Sequence, residues 1–285
     1  MTPISIITDS SCDVAVELTN KWNVYVVQLD VMLDNDEPKL NCDVDNKEFY
    51  DAMRKGSSAK TSAINTESFR RIFDRELAAG RDVLYIGFSS GLSTTYNSAR
   101  VAAEELQADY PERKIRTIDS LCASLGQGML LKLAVDKRDS GASFEELGDY
   151  IENTKMSIAH WFTVDDLQYL RRGGRVAASV ALIGGVLGIK PVMHMDNAGK
   201  LTKVSQVRGR KASLTAIVER FKETAVAPSP VFISHGDCED DAKLLASMLK
   251  SECGIKDIYI NYVGPVIGAH SGPGTLALFF LGKER

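Results

Sequence analysis

Hydroxyl-rich segments stand at four places in this chain: Thr8-Asp9-Ser10-Ser11, Lys60-Thr61-Ser62, Ser89 to Asn97, and Gly268 to Thr275, where His270 sits among three glycines and a proline. Hydroxyls and backbone N–H groups at a strand-to-helix junction make a seat for an anion. The first amides of a helix lack internal partners and carry the positive end of its dipole. Ser89-Ser90-Gly91-Leu92-Ser93-Thr94-Thr95-Tyr96-Asn97 is the fullest case, and having no lysine it is not a G-x-x-x-x-G-K-S/T phosphate loop. Thr8 to Ser11 reads either as a turn with a helix cap or as a polar cluster facing a ligand crevice. Thr61 and Ser62 are either plain loop residues or anion donors ahead of the next helix. Three glycines and a proline demand special backbone angles, so His270 is expected in a rigid loop, as a donor to a carboxylate or as an acid or base.

A second chemistry is written over the third segment. Gly87-Phe88-Ser89-Ser90-Gly91 matches G-x-S-x-G, the nucleophile elbow of α/β hydrolases, and Asp237 and His270 follow in the chain order Ser, Asp, His. Against it, Leu92-Ser93-Thr94 intervenes before the helix expected at Thr95, whereas an elbow passes directly into its helix. A serine hydrolase of acyl esters using Ser89 is the alternative to a binding protein.

Basic residues cluster at Arg171, Arg172 and Arg175 and again at Arg208, Arg210 and Lys211. They read as solvated surface or as a docking site for an acidic partner or a phosphate donor. The chain as a whole carries a net charge of −4, which leaves no field to draw in nucleic acid. No His, Cys and carboxylate set has metal-ligand spacing, and no cofactor is implied. Five scattered cysteines without a C-x-x-C pair read as reduced thiols, which places the chain in the cytosol. The Gly-interrupted apolar run Val176 to Ile189 is too short for a membrane span and reads as a buried segment.

These residues need elements to hold them. With 285 residues, 44% apolar and 25% charged, the chain has material for one large core or two modest ones, and a disordered class is excluded. Ile4–Thr8, Val24–Leu33, Asp82–Phe88 and Ile115–Asp119 are predicted strands. Helices are predicted near Asp13–Lys21, Asn46–Lys55, Glu67–Ala79, Thr95–Asp109 and Leu125–Ser140. Asp45 with Glu48 and Ser143 with Glu146 are spaced as capping boxes, and Gly80 and Gly141 stand where helices stop. This alternation implies an N-terminal, mostly parallel sheet with flanking helices. The second half changes rhythm. Lys190–Met195 and Leu201–Val207 flank Asp196-Asn197-Ala198-Gly199 as a hairpin. A helix (Lys211–Thr224), a strand (Val231–Ser234), a helix (Asp240–Lys250) and two strands (Asp257–Val263, Thr275–Phe280) follow. The expectation is an α/β domain over residues 1–156 and an α+β domain over 157–285.

Taken in order, the segments Thr8-Asp9-Ser10, Lys60-Thr61-Ser62, Ser89-Ser90-Gly91-Leu92-Ser93 with Thr95-Tyr96-Asn97-Ser98-Ala99, Asp119-Ser120, Leu170 to Arg175, Lys190-Pro191 and His270-Ser271-Gly272-Pro273-Gly274 carry a resemblance. The sequence resembles the DegV family of bacterial fatty-acid-binding proteins along essentially its whole length. The resemblance implies two domains with one long-chain fatty acid in a tunnel between them, and a lipid-carrying role rather than an enzyme. It implies that Thr61 and Ser93 hold the carboxylate, with the Thr94 N–H and His270 close by. Some members present the carboxyl group to a separate fatty acid kinase for conversion to an acyl phosphate. Arg175, Arg208 and Arg210 are then expected to serve the partner. The family usually has Gly where this chain has Thr94, which is strained if that backbone needs a positive φ, and often Gln where this chain has Ala63. About 14 methylenes at roughly 0.8 kcal/mol each give a gross burial gain near ~11 kcal/mol, part of which association costs remove.

Overall fold

β-branched runs alternating with capped helical segments build the first half. The computed structural model describes residues 2–177, 188–226 and 230–285. In chain order the first half contains β1 (Ile4–Asp9), α1 (Val16–Lys21), β2 (Val24–Val27), β3 (Asp30–Leu33), β4 (Lys39–Leu40), α2 (Asn46–Arg54), β5 (Ala59–Ser62), α3 (Thr66–Ala78), β6 (Asp82–Gly87), α4 (Thr95–Asp109), β7 (Ile115–Asp119), α5 (Leu125–Asp139) and α6 (Phe144–Thr154). The second half contains β8 (Ile158–Thr163), α7 (Leu167–Arg172), β9 (Ile189–Met195), β10 (Leu201–Arg208), α8 (Arg210–Thr224), β11 (Val231–His235), α9 (Glu239–Cys253), β12 (Ile258–Tyr262), α10 (Pro265–Ser271) and β13 (Leu276–Leu281).

The architecture is the mixed α/β one expected. Strands β2-β1-β6-β7 form a parallel sheet covered on both faces. Successive side chains on a strand point to opposite faces. Ile6, Leu84 and Ile86 therefore meet α5 and α6, while Ile7, Val83 and Tyr85 meet α2, α3 and α4. That is why β6 reads as a continuous apolar run. Strands β10-β9-β8-β13-β11-β12 form a second sheet, antiparallel except for the parallel β11–β12 pair. Its outer face (Trp161, Ile233, Leu278, Phe280) packs on α8 and α9, and its inner face (Phe162, Met193, Phe232, Ala277, Phe279) joins the core around α5. Helix α5 thus lies between the two sheets. Its Gly126 leaves room for His160 of β8: a Cβ there would stand 2.1 Å from His160 Nε2.

Three expectations are corrected. The predicted strand Val24–Leu33 is two strands, because Leu29 N–H donates to Ser10 Oγ (2.9 Å) at the point where the chain leaves the parallel sheet. Its second part pairs into a small antiparallel sheet, β4-β3-β5, which puts Thr61 on a strand opposite Val31 instead of in a loop. His270 likewise is not in a loop but in the last turn of α10, which Gly272 ends at φ 81°. Strand β8 was not anticipated; it lies in the interior of the second sheet, buried along its whole length. Most of the Val176 to Ile189 run lies outside the described residues. Among the described residues, no helix is long and apolar enough to cross a membrane, and all five cysteines are free thiols.

The Thr8-Asp9-Ser10-Ser11 segment is a brace under the crevice loops. Asp9 is fully buried and accepts from Tyr85 Oη (2.6 Å), Phe88 N–H (2.9 Å), Ser11 N–H (3.2 Å) and the Ser11 hydroxyl. Thr8 Oγ1 donates to the Ile86 carbonyl (2.8 Å). Asp9 thereby fixes where the chain leaves β6 for the Ser89–Thr94 loop. Replacing Asp9 with Ala strands the buried Tyr85 hydroxyl and Phe88 amide, so Asp9→Ala is expected to cost about 3 kcal/mol in urea unfolding. A loss below about 0.5 kcal/mol would remove Asp9 from this role.

Candidate functional site

At the N-terminal end of α5 the two sheets part and leave a cavity of about 500 Å³, within the size range of small-molecule sites. Phe88, Leu92, Met195, Ile267 and Phe279 give it an apolar lining. Thr61, Ser93, Thr94, His270 and Arg175 also line it, so the four carboxylate-site residues expected from sequence reach one cavity. Thr61, His270 and Arg175 are shared with an adjoining recess that also contains Lys60, Arg172 and Gly173.

Each polar residue is placed by its own element. Thr61, on β5, lies with its Oγ1 2.8 Å from His270 Nε2, a contact between the two halves of the chain. Gly173 closes the other side of the imidazole, since a Cβ there would stand 2.3 Å from His270 Nδ1. Burial first, and the Arg175 charge second, hold His270 down at about 4; near neutral pH it is an uncharged ring with one donor and one acceptor nitrogen. Ser93 Oγ accepts from Thr95 N–H (3.2 Å) and lies 2.9 Å from Thr95 Oγ1. Thr94 opens α4 at φ −80° and ψ −4°, so the helical region accommodates it and the strain expected at a Gly-to-Thr change does not arise. Its N–H donates to no protein group among the described residues.

Arg175 was grouped by sequence with Arg208 and Arg210, and the three stand apart. Arg175 is half-buried at the cavity, donating from Nε to the Leu92 carbonyl (3.2 Å) and from its guanidinium to the Gly173 carbonyl. Among the described residues no acid lies within ion-pair distance of it, and burial lowers its affinity for its proton. Arg210 is occupied by Asp241 (2.9 Å) and lies 3.7 Å from Asp165, which also holds Lys190 (2.6 Å). Arg208 is exposed at the end of β10.

The nucleophile-elbow match does not assemble. Ser89 is fully buried, and its Oγ donates to the Gly199 carbonyl (2.8 Å) and accepts from Gly91 N–H (3.2 Å). His270 meets Thr61, and Asp237 pairs with Arg54. Ser89 instead fastens the Ser89–Thr94 loop to the Asp196–Gly199 turn of the β9–β10 hairpin. Gly199 (φ 68°) suits this doubly, because a Cβ there would stand 2.1 Å from Ser89 Oγ. Asp119 steadies the same loop, accepting from Ser90 and Leu121 N–H (both 3.1 Å). Sequence reading missed the role of Gly173, although the Gly173-Gly174 pair inside a basic cluster was a usable sign. It also missed Ser124 and Ser234 in the cavity wall, which only tertiary contact brings together.

Comparison with known proteins places this geometry among relatives. The family model described as "uncharacterised protein, DegV family" matches residues 3–283. The chain is 38% identical over 284 residues to a DegV domain-containing protein of Clostridium perfringens, covering 98% of each. It is 33% identical over 282 residues to one of Lactococcus lactis, again covering 98% of each. Among solved structures, a fatty-acid-binding DegV family protein from Thermus thermophilus superposes with a TM-score of 0.89 at 28% identity, over 99% of this chain and 100% of the other. The fatty-acid-binding DegV family protein of Streptococcus agalactiae superposes with a TM-score of 0.88 at 26% identity, over 100% of both.

The buried imidazole carries a pH signature. A ring held at about 4 when folded and near 6.5 when unfolded stabilises the fold fully above pH 6.5, and that contribution is lost as the pH falls toward 4. Between pH 7.5 and 5, unliganded wild type is therefore expected to lose about 1–2 kcal/mol more stability than His270→Gln, measured by urea unfolding at each pH. Parallel pH profiles would place His270 in a solvated setting.

Proposed function

The chain belongs to the DegV family, and from that premise we propose that it binds one long-chain fatty acid, such as palmitate or oleate, in the cavity between its two sheets. The observation that carries this reading is the gathering of Thr61, Ser93, Thr94 and Arg175 at one cavity that Phe88, Leu92, Met195, Ile267 and Phe279 also line. A carboxylate taken out of water without partners costs several kcal/mol, and charge-assisted hydrogen bonds offset that cost. In the proposed arrangement the Thr61 and Ser93 hydroxyls and the Thr94 N–H donate to the carboxylate. His270, uncharged, orients Thr61 through the 2.8 Å contact, and Arg175 supplies the positive charge. The acyl chain lies along Phe88, Leu92, Met195, Ile267 and Phe279.

The proposal extends to a carrier that is not itself an enzyme, built of domains 1–156 and 157–285 and working in the cytosol. The engagement of Ser89 with Gly199 supports a carrier over an acyl-ester hydrolase, and five free thiols support the compartment. It extends also to a separate fatty acid kinase that takes the carboxyl group to an acyl phosphate. Lys60 and Arg172 in the recess beside Thr61 and His270 support docking of an anionic phosphate donor there. Arg208 is exposed and able to meet the partner, while Arg210 is committed to Asp241.

The test compares oleate affinity in delipidated wild type, Thr61→Val, Ser93→Ala and Arg208→Ala. Losing one donor to a buried carboxylate is expected to weaken binding about ten- to a hundredfold in the first two variants. Arg208→Ala is expected to retain wild-type affinity while slowing kinase-dependent acyl phosphate formation. Loss of oleate in Arg208→Ala with full retention in Ser93→Ala would reverse the assignment.

A further inference from the structure

A cavity meant only for an unsubstituted hydrocarbon has no use for hydroxyls in its wall, yet this one has several away from Thr61 and Ser93. Ser124 and Ser234 both line it. Ser234 is fully buried. It stands on β11 two residues from Phe232 and opposite Ala277, so strand alternation turns it to the same inner face as both. Its Oγ lies 3.0 Å from Ser124 Oγ, which lies 2.5 Å from Oδ2 of the buried Asp13. Ser271 also lines the cavity, and its buried Oγ has no hydrogen-bond partner among the described residues.

The proton count along Asp13, Ser124 and Ser234 decides what the wall offers. Ser124 has one hydroxyl hydrogen for two neighbours. If it donates to Asp13, Ser234 donates to Ser124 and keeps lone pairs for the cavity. If the Asp13 carboxyl is protonated and donates to Ser124, Ser124 donates to Ser234, whose own hydrogen is left for the cavity. Burial pushes Asp13 up to about 8, so the carboxyl holds a proton near neutral pH; on Oδ2 that proton gives the second arrangement, and on Oδ1 it leaves the first. In both, Ser234 retains at least one hydrogen-bonding function not used by the described residues. A ligand hydroxyl can donate or accept and so fits either arrangement, whereas a ketone or ether fits only the second.

We propose that the acyl ligand carries a hydroxyl group on its chain, held by Ser234 Oγ in the cavity wall, so that hydroxy fatty acids belong to the substrate class. The inference rests on the fatty-acid reading above and names the kind of chain that fits it. In a wholly apolar cavity an added hydroxyl weakens binding, because its hydrogen bonds to water are lost without replacement. A partner at Ser234 removes that handicap.

The experiment measures the affinities of delipidated protein for stearate and for 3-, 10- and 12-hydroxystearate, in wild type, Ser234→Ala and Ser271→Ala. At least one hydroxy isomer is expected to bind wild type as tightly as stearate or tighter. Ser234→Ala is expected to weaken that isomer about tenfold while leaving stearate unchanged. If every isomer binds wild type tenfold or more weakly than stearate, or if Ser234→Ala changes stearate and hydroxystearate alike, the proposal is overturned and fatty acid binding stands. If selectivity is lost in Ser271→Ala but kept in Ser234→Ala, the assignment to Ser234 fails. Should neither stearate nor any hydroxystearate bind, the fatty-acid reading fails with it. Ser234→Cys, which keeps the side-chain volume and weakens the hydrogen bond, replaces Ser234→Ala if that variant does not fold.

Discussion

Two sheets that share one buried helix cannot close on each other beyond the end of that helix. Helix α5 is that spacer, packed on β1 and β6 of one sheet and on β8, β11 and β13 of the other. Its side chains are buried nearly all round because it has no solvent face to spare in its first turns. Where α5 begins, at Ser124 and Leu125, it ceases to cover the inner face of the second sheet. The cavity follows from that geometry. Its walls are whatever the strand ends and loops present: Phe162, Ala277 and Phe279 from the sheet, Phe88 and Leu92 from the first half, Ile267 from α10.

Contacts across the cavity are both apolar, among Phe88, Leu92, Met195 and Ile267, and polar. Ser89 ties one loop to the β9–β10 turn, Arg175 ties Leu92 to the chain after α7, and Thr61 meets His270. Each is a single hydrogen bond, worth on the order of 1 kcal/mol net, against cores on either side that are far larger. The same groups are those suited to a carboxylate. A ligand head group that bonds Thr61, Ser93 and Arg175 would bridge the two halves and tighten the closure that admits it.

Much of this was legible in the sequence, and the gaps have physical causes. The parallel sheet was readable because β1, β6 and β7 are bounded by helix caps and glycine stops, with Ser143 and Glu146 forming the full reciprocal capping box. The hairpin was readable from Asp196 to Gly199. Strand β8 was not, because Ile-Ala-His-Trp-Phe-Thr has neither alternation nor a turn signal when both faces are buried. Thr61 and His270 were found as residue types but assigned to loops. A four-residue strand such as β5 exists only through its pairing with β3, and a seven-residue helix capped by glycine at both ends draws its stability from packing, Gly268 on Tyr50 and Gly272 on Tyr169. Arg175 could not be separated from Arg208 by sequence, since charge clusters look alike until burial is known.

The central claim is that a fatty acid lies in this cavity with its carboxylate at Thr61 and Ser93. A crystal structure of the protein saturated with palmitate tests it most directly. The carboxylate oxygens are expected within hydrogen-bond distance, about 2.6–3.2 Å, of Thr61 Oγ1, Ser93 Oγ and the Thr94 N–H, with the chain running past Met195 and Ile267. Density for the carboxylate beside Arg208, or a chain reversed so that its methyl end meets Thr61, would contradict it.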